Sequence, residues 1–170
     1  MPKQAIRYPY LPKGREIKYV SAENVFMQLA KAFARAQSLD AVMPGAAVVV
    51  KQGRVVGIGA NGSDYHKNYK CQRIVRGCKS GEGYELCEGC HPKNHSEATS
   101  IDIANALSDW VGFSCTEGAD LYLWGHWWFC EACWNVMIAA GIKDAYVIEQ
   151  SEVLFNKEHP DNIVGKQFKK

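Results

Sequence analysis

The sequence predicts an α/β fold: helices on both faces of a mixed central sheet, three layers in all, with a cysteine-rich insert. Two β-branched runs joined by a short turn over 46–59 predict an antiparallel hairpin, and helical and strand patterns alternate after residue 95. Strands separated by helices pair in parallel and need helices to cover them, which gives the three layers. Between these parts lies a stretch, 63–94, with no apolar periodicity. At 170 residues, 47% hydrophobic and 22% charged, the chain reads as a single domain over 1–170 with a real core. That balance excludes collagen, coiled coil and wholesale disorder.

Residues 1–20 hold three prolines and mixed charge and read as an extended lead-in. Val25, Phe26, Leu29, Ala30 and Phe33 then recur at helical spacing, with Ser21 as the expected N-cap. Pro44-Gly45 breaks the chain before strands over 46–50 and 54–59, and Asn61-Gly62 ends the second of them. A helix is expected over 97–107 with Ile101, Ile103, Ala104 and Leu107 as its apolar positions. A strand over 121–124, a helix over 131–140 closed by Gly141, and a strand over 145–149 follow.

The N-terminus lacks the apolar run of a signal peptide, and the longest aliphatic run, 46–50, is too short for a bilayer. The expectation is a cytoplasmic protein with no membrane partner. In a reducing compartment the seven cysteines read as metal ligands or catalytic groups before disulfides. Cys115 stands apart as a core thiol. A net charge of +2 gives no reason to expect a nucleic-acid partner.

His95-Ser-Glu97 opens one expected helix and Cys130-Glu-Ala-Cys133 the next. Two thiols three positions apart at a helix start share a face and can grip one metal ion, and the helix N-terminus favours the thiolate. His95 makes a third ligand and leaves the fourth tetrahedral position to water, the mark of a catalytic zinc rather than a structural one. Glu97 can stand beside that water as general base and then general acid. A zinc ribbon joining Cys87 and Cys90 to Cys130 and Cys133 is the alternative, although its gap is about twice the usual 15–20 residues.

Within the insert, Cys71, Cys78, Cys87 and Cys90 would form a second, closed zinc site, with His91 able to replace one thiol. Metal binding would order a segment that has no core of its own. Lys67, Lys70, Arg73, Arg76 and Lys79 in the same segment suit a phosphate, or else a solvated face. Trp124, Trp127, Trp128 and Trp134 crowd the second motif as a packed wall or as stacking surfaces.

His-x-Glu followed by Cys-x-x-Cys resembles the signature of the zinc-dependent nucleoside, nucleotide and nucleic-acid deaminases. The run GAAVVVKQGRVVGIGANG is similar to that family's first hairpin, and CEACWNVMIAAGIKDAYVIE to its zinc helix and following strand. The insert CQRIVRGCKSGEGYELCEGCHPKNHSE resembles the approach to the active site in deoxycytidylate deaminases of the late-competence type. The resemblance implies a cytidine-deaminase-like sandwich, zinc on His95, Cys130 and Cys133, proton transfer by Glu97, and a hydrogen bond from Asn61 to the sugar. It departs from the family pattern at Phe129, where relatives carry proline, and at Thr99, where many carry asparagine.

The function so implied is hydrolysis of dCMP to dUMP and ammonia, by a homo-oligomer acting on a small pyrimidine nucleotide. Cytidine or deoxycytidine is the alternative substrate, followed by a base in single-stranded nucleic acid or tRNA. From another class, a zinc-stabilised binding module without turnover would show the same ligands.

Overall fold

The structure, a computed structural model, describes residues 9–169. Part of the expected lead-in, 1–8, lies outside the described residues. The remainder is not all extended lead-in: it contains strand β1, Ile17–Val20, which pairs in parallel with β5, Asp144–Ile148. Four residues of mixed polarity carry no strand signal by themselves. They become a strand because β5 offers an open edge, and backbone pairing satisfies both.

The hairpin is β2, Ala46–Lys51, with β3, Arg54–Ala60, and strand β4 is Asp120–Trp124. The five strands form one mixed sheet in the order β1-β5-β4-β2-β3, parallel at β1-β5 and β5-β4 and antiparallel at β4-β2 and β2-β3. Alternation along β2 divides the core. Ala46, Val48 and Val50 face α1 (Val25–Gln37) and α6 (Ser151–Phe155), packing with Met27, Ala30, Ala34 and Phe155. Ala47 and Val49 face α4 (Ser96–Val111) and α5 (Glu131–Ala139), packing with Ile101, Ala104, Trp134 and Met137. This is the expected α/β architecture, three layers around a mixed sheet, with the cysteine-rich region at its edge.

Two helical faces differ from the expectation. In α1 the buried positions are Met27, Ala30 and Ala34, while Val25 is 68% exposed and Leu29 also faces out. Asn24 takes the N-cap in place of Ser21, because its Oδ1 accepts the Phe26 and Met27 N–H groups at 3.0 and 3.2 Å; Ser21 Oγ accepts from Glu23 N instead. In α4 Ile103 is exposed, and Ser100 fills the buried face where the helix lies closest to β3. Cys115 is buried, as a core thiol should be.

The insert holds two single-turn helices, α2 (Tyr65–Asn68) and α3 (Gln72–Val75), and three 3-10 turns at Tyr84–Leu86, Glu88–Cys90 and Pro92–Asn94. The last turn delivers the chain directly to α4. Among the described residues no helix is long and apolar enough to cross a membrane.

Candidate metal centre and its surroundings

α4 and α5 pack side by side on one face of the sheet and begin at the same end of it. His95 occupies the N-cap position of α4 and Glu97 its first turn, and Cys130 occupies the N-cap position of α5 and Cys133 its first turn. The second start is set by β4. After Trp124 the chain turns at Gly125, φ +102°, where an added Cβ would lie 2.4 Å from the Pro44 carbonyl oxygen. Only glycine allows that approach, and it aims residues 126–130 back over the sheet.

The result is a compact donor set. His95 Nδ1 lies 3.3 Å from Cys133 Sγ and 3.6 Å from Cys130 Sγ. Nitrogen and sulfur on adjacent corners of a tetrahedral zinc are about 3.6 Å apart. One imidazole and two thiols at this spacing fit a zinc ion with one corner left over. The Tyr84 ring meets the same imidazole edge-on at 4.9 Å between centroids.

The electrostatics of the donors point the same way. The hydrogen bond from Cys133 pulls the Cys130 thiol down to about 5, against the cost of burial, with His95 adding to the effect. Cys133, on the other side of that bond, is pushed well above the thiol range by it and by burial. One proton is thus shared by the pair, and a metal ion would displace it. Burial would lower the His95 imidazole, but hydrogen bonding to Cys130 and the charge of Glu97 outweigh it and hold the group above its ordinary value. Glu97 is buried, and its Oε2 accepts from Ser96 Oγ at 3.0 Å. Thr99 Oγ1 donates to the His95 carbonyl at 2.9 Å and so braces the start of α4.

Asn61 stands at the end of β3 with its amide turned inward. Oδ1 accepts from Ser38 Oγ at 2.5 Å and from Gly45 N at 2.9 Å, and Nδ2 donates to the Met43 carbonyl at 2.8 Å. These three bonds use one of the two amide N–H groups. In the insert, the donor atoms that converge are those of His66, Cys71, Cys87 and Cys90. Cys78 is not among them; its Sγ packs against Gly83. Nor is His91, whose Nδ1 accepts from Lys93 N at 3.1 Å. Sequence reasoning missed His66 because no spacing rule ties it to the cysteines. Cys87 and Cys90 fall in a different group from Cys130 and Cys133, so a ribbon joining the two pairs does not form.

The basic residues are partly spent on structure. Lys67 pairs with Asp64, and Arg73 donates to the Glu82 and Lys79 carbonyls while its guanidinium covers the Tyr84 ring at 4.4 Å. Of the tryptophans, Trp124 packs on Phe155 and Phe168, Trp134 on Phe129, and Trp128 against Gly81. These contacts are those of a packed wall. His126, half-buried and facing the charge of Glu97, is held below the usual imidazole value by burial. A depression of about 390 Å³ between α4 and α5, bordered by Asp102 and Glu117, shares no lining residue with either donor group.

An α/β sandwich whose two helix starts bring an imidazole, two thiols and a carboxylate together is the architecture of a zinc-dependent deaminase. The sequence model of the cytidine and deoxycytidylate deaminase zinc-binding region matches residues 20–149, and the chain belongs to that family. No curated protein matches the chain. Among solved structures it is similar to a diaminohydroxyphosphoribosylaminopyrimidine deaminase/5-amino-6-(5-phosphoribosylamino)uracil reductase from Thermotoga maritima, at 20% identity and TM-score 0.42, covering 73% of this chain and 29% of that one. It is also similar to the dCMP deaminase of cyanophage S-TIM5, at 21% identity and TM-score 0.45, covering 74% and 82% of the two chains. A tRNA:A34 deaminase matches at 22% identity and TM-score 0.44, over 73% and 75%. The chain thus spans under a third of the length of the first of these.

Proposed function

We propose that the chain is a zinc-dependent hydrolase, acting as one deaminase domain over 1–170, that converts dCMP to dUMP with release of ammonia. The observation that carries this reading is the convergence of His95, Cys130 and Cys133 beside the buried carboxylate of Glu97. Zinc held by these three donors would supply an activated water, its pKa lowered toward about 7, as the nucleophile for C4 of cytosine. Glu97 would take one proton from the water and pass it to ring N3. It would then take the second from the hydroxyl added at C4 and give it to the amine, which leaves as ammonia as the C4 carbonyl forms. One carboxylate on one face of the base serves both transfers. The Tyr84 ring, edge-on at 4.9 Å, backs the His95 imidazole whose Nδ1 faces the thiols.

A monophosphate is favoured over a nucleoside because the insert borders this site, through Tyr84 on His95 and Gly81 on Trp128, and leaves Lys70, Arg76 and Lys79 exposed. The resemblance of the insert to late-competence deoxycytidylate deaminases supports the same choice. Asn61 retains one N–H for the sugar.

Purified protein incubated with cytidine, deoxycytidine, their monophosphates and a single-stranded oligonucleotide should consume dCMP, followed by loss of cytosine absorbance. Turnover of the nucleosides without the monophosphates overturns the substrate. Glu97→Gln should keep its zinc and lose about 10²–10⁴-fold in ammonia release. A zinc-loaded Glu97→Gln protein as active as wild type would end the deaminase mechanism.

A further inference from the structure

Within 63–94 only Cys87 and Gly89 are fully buried, and the helices α2 and α3 bury nothing. Beyond the packing of Tyr84 on the core, hydrophobic burial therefore contributes little to the order of this segment. What it has instead is a convergence of four donors. The ligand atoms of His66, Cys71, Cys87 and Cys90 all lie within 4.8 Å of one another, with Cys71 Sγ 3.5 Å from Cys90 Sγ. His66 Nε2 is 3.1 Å from Cys87 Sγ and 4.0 Å from Cys90 Sγ. Adjacent corners of a tetrahedral zinc stand about 3.8 Å apart for two thiolates and about 3.6 Å for thiolate and imidazole. The four atoms fit that figure and leave no corner for water.

Two neighbours fit the same site. An added Cβ at Gly89 would lie 2.7 Å from His66 Nε2, so the glycine between Cys87 and Cys90 is what admits the imidazole. The Arg73 guanidinium lies close enough to Cys90 and Cys71 to interact with their charge, and would offset the net negative charge of one zinc with three thiolates.

We infer that His66, Cys71, Cys87 and Cys90 hold a second, closed zinc ion that orders the insert and, through the Tyr84 ring set edge-on against it, positions His95. The two donor groups are also joined along the chain: from Cys90 it passes through one 3-10 turn, Pro92–Asn94, to His95, whose backbone N–H donates to the Pro92 carbonyl at 3.0 Å. The ligand set differs from the four cysteines expected from spacing, since His66 replaces Cys78. The link to His95 rests on the metal role proposed for that residue; the existence of the second ion does not.

Zinc per chain, measured by mass spectrometry on protein purified without chelator, tests this. Wild type and Cys78→Ser should each carry two, and Cys71→Ser and His66→Gln one each. Cys130→Ser should retain the insert zinc. His66→Gln alters only an exposed ring, so it carries the comparison if Cys71→Ser is insoluble. In a chromogenic chelator competition the zinc left in His66→Gln should be about 10–100-fold less tightly held than the corresponding ion of wild type. One zinc in wild type that neither His66→Gln nor Cys71→Ser removes overturns the site, as does loss of an ion from Cys78→Ser. One zinc in wild type that Cys130→Ser keeps supports the insert site and sinks the catalytic one. Equal retention of the remaining ion overturns the link to His95.

Discussion

Gly57→Ala is the substitution that most directly sets the fold against the site. Gly57 lies on β3 under α4, and an added Cβ would stand 2.2 Å from the Ser100 carbonyl oxygen and 3.0 Å from Ala104 Cβ and N. Non-bonded heavy atoms settle at about 3.5 Å, so α4 must retreat from the sheet by about 1 Å. The obstructing atoms are α4 backbone and the Ala104 methyl, none of which can swing aside as a long side chain would. Overpacking of this kind costs about 1–3 kcal/mol.

The same displacement moves His95 and Glu97 with α4 while Cys130 and Cys133 stay with α5. The spacings of 3.3 and 3.6 Å between His95 Nδ1 and the two sulfurs would then open beyond what one zinc spans. A misplacement of about 1 Å also costs about 10²-fold in rate. Urea unfolding, zinc content and ammonia release should therefore all fall together. Arg54→Ala, exposed on the same strand, should change stability by less than about 0.5 kcal/mol. A Gly57→Ala protein with unchanged urea midpoint and full zinc content would refute the claim that close β3-α4 contact positions the donors.

Asn61→Ala strands Ser38 Oγ, Gly45 N and the Met43 carbonyl, and should lower unfolding free energy by about 1–3 kcal/mol in urea; activity lost with stability intact would instead indicate that Asn61 serves the substrate alone. Phe129→Ala empties a fully buried position against Trp134 and should cost about 3–5 kcal/mol by the same assay. Burial lowers the His126 imidazole in the folded state, so its contribution to stability is complete above the unfolded value of about 6.5 and is lost as pH falls below that value. Stability should fall as pH drops below about 6.5, and His126→Asn should flatten that fall; parallel curves for the two proteins would assign the acid sensitivity elsewhere.

Much of the site could be read from local pattern because its parts are local. A histidine two residues before a carboxylate and two thiols three apart each sit within one helical turn, and the turn itself brings each pair to one face. The hairpin was legible for the same reason, since β-branched alternation and a tight turn are properties of adjacent residues. Where local pattern misled, a distant partner had intervened. Val25 and Ile103 have helical spacing but face solvent, because the sheet meets α1 at Met27, Ala30 and Ala34 and α4 at Ser100 and Ala104.

The sequence by itself determined the α/β alternation, the His-x-Glu and Cys-x-x-Cys helix starts, and the absence of any apolar core in the insert. The tertiary structure decided that Ile17–Val20 becomes an edge strand, that the Asn61 amide turns inward, and that His66 rather than Cys78 joins Cys71, Cys87 and Cys90. The difference is one of range. Helix and strand periodicity is set by neighbours a few residues away, whereas an edge pairing or a fourth ligand depends on which chain segments the closed fold brings within a few ångströms of one another.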